Sequence, residues 1–126
     1  MEATQQQIIE AYLEAYNNFD IEGMLKHLHN DLVFENISDD EVNMRLEGKA
    51  AFKAQAEAAS AYFKSRKQTV RSWNFDGDTV TIDLNYEAVL AQDFPNGLKT
   101  GATLSLTGKS IFEFFDGKVM RLVDKS

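Results

Sequence analysis

Apolar residues recur at Ile8, Ile9, Tyr12, Leu13, Tyr16 and Phe19, the spacing of a helix with one buried face. Thr4 followed by Gln7 supplies a capping box at its start. Asp20 stands where it can cap a second, shorter helix in which Ile21, Met24, Leu25 and Leu28 repeat the pattern. Asn17-Asn18 is the break, so a helical hairpin is predicted. From Leu32 to Ile37 the period shortens to two, with Leu32, Phe34 and Asn36 on one strand face and Val33, Glu35 and Ile37 on the other. The acidic run Asp39-Asp40-Glu41 reads as a solvated loop. After Gly48, an alanine-rich stretch from Lys49 to Lys64 puts Phe52, Ala56, Ala59 and Phe63 at helical spacing and predicts a third helix able to approach a sheet closely.

The second half keeps the period of two. Asp76-Gly77, Asn96-Gly97 and Asp116-Gly117 are turn signals between apolar-alternating runs, because both residues of each pair tolerate positive φ. Four long antiparallel strands follow. In the run from Thr79 to Ala91 the even residues Val80, Ile82, Leu84, Tyr86, Ala88 and Leu90 form the inner face. The next run agrees, with Leu104, Leu106, Gly108, Ser110, Phe112 and Phe114 inside, and the last strand would add Met120, Leu122 and Asp124. Gly108 and Ser110 interrupt an apolar row, which would leave space between sheet and helices. The predicted fold is α+β: residues 1–126 as one domain, three helices packed on a strongly curved, mostly antiparallel sheet that forms a cone-like roll around a hollow.

Composition fits this reading. The chain has 126 residues, 44% apolar and 26% charged, enough large apolar side chains for a packed core. Its net charge of -7 repels phosphate backbones and anionic headgroups, so neither nucleic acid nor a membrane surface is an expected partner. The absence of cysteine removes disulfides, thiolate nucleophiles and cysteine-bound metals. Met1 to Gln7 is polar and unlike a signal peptide, and no apolar run reaches the roughly 18 residues of a membrane span, so a cytoplasmic location is expected. His27 and His29, taken as helical, point about 200° apart and cannot share a metal, with His29 near the helix C-terminus. No Gly-rich phosphate loop is present, and no metal or cofactor is expected. Arg66, Lys67 and Arg71 read as a solvated basic edge, and Trp73, Tyr86, Phe34, Phe112 and Phe114 as an aromatic set more often found in a core than in a ligand cage.

Three helices, a lone early strand and a long-stranded meander resemble the nuclear-transport-factor-2-like superfamily, which includes ketosteroid isomerases and SnoaL-like polyketide cyclases. The stretches that carry the resemblance are Asp20-Ile21-Glu22-Gly23, Asn30 to Asn36, and Phe112 to Val119. Such motifs specify a scaffold shared by many activities. By that resemblance Tyr12 falls on the isomerase tyrosine, Asn36 on its general base and Ser110 on its second aspartate. An amide cannot accept a proton at neutral pH, so the standard isomerase mechanism is rejected. In SnoaL-like cyclases an aspartate on the last strand moves a proton, and Asp124 matches it by position. Asp124 and Tyr12 are thus the candidate catalytic residues, with Asn36, Ser110, Phe34, Tyr86, Phe112 and Tyr16 as ligand-binding candidates. The competing readings are a core tyrosine for Tyr12 and an exposed carboxylate near the chain end for Asp124. The function implied is binding of a small apolar, carbonyl-bearing molecule with isomerase-, cyclase- or hydrolase-type chemistry. The alternative is a non-catalytic ligand-binding or association module, and relatives imply a homodimer.

Overall fold

The computed structural model describes residues 2–95 and 97–126. Helices α1 (Glu2–Asn17), α2 (Ile21–Leu25) and α3 (Lys49–Ser60) lie against strands β1 (Leu28–Ser38), β2 (Glu41–Glu47), β3 (Phe63–Asp76), β4 (Thr79–Leu90), β5 (Thr103–Phe115) and β6 (Lys118–Lys125). The strands form one curved sheet in the order β2-β1-β6-β5-β4-β3. Every neighbouring pair is antiparallel except β1 and β6, which run parallel. Helix α1 rests on β3, and α3 on β1 and β2. The core between them is built from Ile9, Leu32, Ile82, Phe112 and Leu122, all fully buried.

Local chemistry explains the element boundaries. Phe19 takes a positive φ of 57° and ends α1, and Asp20 Oδ1 then accepts from Gly23 N at 3.0 Å to start α2. A side chain at position 23 would collide with that capping carboxylate, so glycine is required there. Thr4 lies within α1 rather than at its cap, since the helix is already formed at Glu2. Leu28 belongs to β1, not α2: Val119 N donates to His27 O at 2.9 Å and draws the chain into the sheet. His29 is likewise a strand residue, with Nδ1 accepting from Asp31 N at 2.9 Å.

Asp39 and Asp40 adopt positive φ of 52° and 64° and make a tight turn, so the expected loop is a hairpin and the expected lone strand has β2 beside it. Helix α3 stops at Ser60, because Ala91 N donates to Tyr62 O at 2.8 Å and commits the following residues to β3. Gly77 (φ 62°) turns the chain between β3 and β4, and Asp116 with Gly117 (φ 54° and 75°) between β5 and β6. Asn96 lies outside the described residues. The connection between β4 and β5 is a longer loop, closed where Asp93 Oδ1 accepts from Thr100 N at 2.8 Å and from its hydroxyl at 3.0 Å.

The inner face of β4 follows the even residues throughout. On β5 the even row is inside from Ser110 onward, but Leu106 is 52% exposed because that end of the strand runs beyond the helices' cover. On β6 the register shifts opposite Glu113 and Phe114, and the extra residue puts Val119, not Met120, into the core. The end of α1 is clasped to β3: Asn17 Nδ2 donates to Gln68 O at 3.2 Å while Asn17 Oδ1 accepts from Gln68 N at 2.8 Å.

Phe112 is fully buried and meets the Tyr12 ring edge-on at 5.8 Å. Phe112→Ala is expected to cost about 3–5 kcal/mol in urea unfolding; a loss under about 1 kcal/mol would mean this contact is not part of a tightly packed core.

Candidate functional site

A cavity of about 410 Å3 lies between the helices and the sheet. Its polar walls are Tyr12 and Tyr16 from α1, Asn36 from β1, Gln55 from α3, Arg66 from β3, Tyr86 from β4 and Asp124 from β6. The remaining surface is mainly apolar, with Phe34 and Phe52 in edge-on contact at 5.3 Å, and Met24 and Met44 beside them. Many apolar contacts with a few converging polar groups are the usual make-up of a small-molecule site.

Strand register assembles the polar row. Asn36 of β1 is paired with Asp124 of β6 across the parallel ladder, and Asp124 with Ser110 of β5 across the antiparallel one. Ser110, buried, donates from Oγ to Asp124 Oδ1 at 2.7 Å. Beside it, a Cβ on Gly108 would stand 3.0 Å from Lys125 O, so the backbones approach closely here. Asn36 Nδ2 donates to Asn43 Oδ1 at 2.9 Å, which fixes the amide's orientation. A smaller hollow of about 160 Å3 shares Asn36, Tyr86 and Asp124 with the main cavity and is also lined by Ser110.

Burial pushes the Asp124 carboxyl up to about 6, with the Ser110 hydrogen bond opposing that rise. Tyr12 is 8% exposed, and no hydrogen bond joins its hydroxyl to the described residues. Its pKa is raised well above that of an ordinary phenol, first by burial, then by the negative charge of Asp124. Tyr12 therefore stays a proton donor. Tyr16 Oη donates to Tyr86 Oη at 3.2 Å, and burial raises both phenols.

Of the residues singled out from sequence, Tyr12, Tyr16, Phe34, Asn36, Tyr86 and Asp124 line the main cavity. Ser110 stands behind Asp124, and Phe112 lies beneath Tyr12 without reaching the cavity wall. Arg66 corrects the reading of a solvated basic edge. β3 is an edge strand with Lys67 and Arg71 exposed, but Arg66 is buried and borders the cavity. The available signal was its pairing with Ala88, a member of the inner row of β4. A register shift between Val70 and Ser72 reverses the facing of β3, so alternation counted from Trp73 and Phe75 places Arg66 outside. Among the described residues no group of three or more His, Asp or Glu could hold a metal ion, and no helix is long and apolar enough to cross a membrane.

Three helices on a six-stranded, curved, mostly antiparallel sheet define the class: the nuclear-transport-factor-2-like α+β fold. Residues 9–122 match the SnoaL-like domain, and the chain belongs to that family. Solved structures agree on the fold. AclR of Streptomyces galilaeus, a candidate hydroxylase, is 24% identical with a TM-score of 0.77 over 97% of this chain and 87% of that one. A candidate polyketide cyclase of Xanthomonas campestris pv. campestris is 23% identical, TM-score 0.77, over 98% and 90%. An epoxide hydrolase of the LEH-like type from M. tuberculosis is 18% identical, TM-score 0.74, over 94% and 79%. Comparison with curated proteins finds no match.

The raised carboxyl has a thermodynamic consequence. The ordinary value is 3.8 and the folded one about 6, so the native state binds this proton more tightly than the unfolded chain does. Stability therefore falls as pH rises through that window and is level above it. Asp124→Asn has no charge to bury and still offers Oδ1 to Ser110. At pH 8 it is expected to unfold later than the parent by the equivalent of roughly 1–3 kcal/mol, the gap closing as pH is lowered to about 4. A gap that stays constant across thermal melts at those two pH values would show that Asp124 does not carry the shifted proton.

Proposed function

We propose that the cavity binds a small, largely apolar molecule bearing a carbonyl group, and that Asp124 moves a proton next to that carbonyl. The observation that carries this is the meeting, in one apolar cavity, of a carboxyl with a pKa of about 6 and the free hydroxyl of Tyr12. At neutral pH Asp124 is largely ionised, yet basic enough to accept a proton from the carbon beside a carbonyl. The electron pair of that C–H bond moves onto the carbonyl oxygen, and Tyr12, held protonated by burial, donates a hydrogen bond to the resulting enolate. Return of the proton from Asp124 to another carbon gives an isomerisation. Attack of the enolate carbon on a second carbonyl of the same molecule opens that C=O π bond, and the alkoxide formed takes the proton back from Asp124, which gives a cyclisation. Asn36 and Ser110 serve to orient: one toward the ligand, the other holding Asp124.

The polyketide-cyclase and epoxide-hydrolase descriptions of structural relatives are compatible with this reading. Neutral Asn36 and Ser110 at the two acidic isomerase positions favour a second one, a binding module without turnover.

Exchange of the α-protons of 2-tetralone in D2O, followed by NMR, separates the two. Turnover by the parent protein is expected, with a loss of about 10²–10⁴ in Asp124→Asn and of roughly tenfold to a hundredfold in Tyr12→Phe. Saturable binding with exchange no faster than in buffer would leave the binding module. The proposal includes a cytoplasmic homodimer, as the family resemblance implies; Leu106, 52% exposed on β5, is a large apolar side chain that such an association would cover. Sedimentation at micromolar concentration is expected to give twice the mass of the chain, and a monomer would contradict the association.

A further inference from the structure

Arg66 carries a charge that no carboxylate among the described residues pairs with. It is 5% exposed and forms no ion pair among the described residues, whereas two exposed arginines of the sheet do: Arg121 meets Glu35 and Glu113 at 2.6 and 2.7 Å, and Arg45 meets Glu47 at 3.5 Å. Part of its role is structural. Nε donates to Tyr16 O at 2.9 Å, at the electronegative end of α1, and the guanidinium lies 3.7 Å from the centre of the Tyr16 ring and 4.5 Å from that of Phe19. These contacts use one of five N–H donors and two ring faces. Nη2 is shut away from solvent with no hydrogen-bond partner. A guanidinium has no neutral form to retreat to when buried, so the imbalance persists until an anion meets it.

Asp124 is not that anion. No ion pair joins its carboxyl to Arg66 among the described residues, although both border the cavity, and its hydrogen bond goes to Ser110. The field of Arg66 falls instead on Tyr12, Tyr16 and Tyr86, where it opposes the rise of each phenol. The cavity therefore has two unlike polar groups, a carboxyl on β6 and an unpaired guanidinium on β3, with β5 and β4 between their strands in the sheet.

We infer that the occupant is an organic acid in its ionised form, an apolar ring system carrying a carboxylate or similarly planar acidic group that Arg66 receives, with Arg66 as the residue that determines specificity. This rests on the pocket reading above and narrows its substrate class from carbonyl compounds in general to anionic ones. With Nε taken by Tyr16 O and Nη2 shut away, Nη1 is the donor left to meet the acid, and the faces of Tyr16 and Phe19 hold the guanidinium plane in position.

The test compares 2-naphthoate with the neutral 2-naphthamide, nearly identical in shape, by calorimetric titration into the parent protein, Arg66→Met and Arg66→Lys. The naphthoate is expected to bind the parent more tightly than the amide by roughly tenfold or more. The preference should vanish in Arg66→Met and survive in weakened form in Arg66→Lys. Circular dichroism of each variant establishes that it is folded, and the comparison within the parent stands whether or not they are. Equal affinity for the two probes, or a preference for the amide, overturns the anion inference and leaves the pocket reading intact. No binding of either probe overturns both.

Discussion

The parallel pairing of β1 with β6 holds the rest of the structure together. β2 and β1 form one hairpin, and β3, β4 and β5 a separate meander; β6 touches both groups, antiparallel on one side and parallel on the other. Parallel strands need a crossover, and here residues 39–117 are that crossover, so the contact forms only once both halves exist. Its register sets the chemistry too. A slip of one residue would turn Asp124 and Leu122 to the outer face and leave Asn36 and Ser110 without the carboxyl between them.

Once that row is in place, desolvation governs the site. The same apolar wall that packs Phe34 on Phe52 raises the Asp124 pKa and keeps the phenols protonated. Core and site are therefore not separate designs. The Tyr12 ring packs on Phe112 as a core residue does, and the same residue borders the cavity, so one side chain belongs to both the core and the cavity wall.

How much of this could be read from the residues depended on whether spacing or distant contact decided each one. The face of β4 followed from an unbroken alternation, while the cavity positions of Tyr12, Asn36 and Asp124 followed from helical spacing on α1 and from the family resemblance. Leu28, Phe63 and Met120 misled: each fits a local period, and each is reassigned by a contact or register shift that the local pattern does not contain. β2 was hidden because its outer positions are charged and its turn is made of aspartates rather than glycine. Arg66 was hidden for the opposite reason, a charged residue on an inner face that hydrophobic patterning assigns to water.

The clasp of Asn17 on Gln68 has a consequence for the molecule's behaviour in a crowded solution. β3 is a long border strand, and its outward backbone groups would otherwise invite another chain to extend the ladder. The Asn17 amide occupies the N–H and the carbonyl of Gln68 together, standing in for the absent neighbour near mid-strand. The opposite border, β2, is short and carries Glu41, Arg45 and Glu47. Both rims are thus blunted against edge-to-edge aggregation, one by a side-chain amide that mimics a peptide and the other by charge.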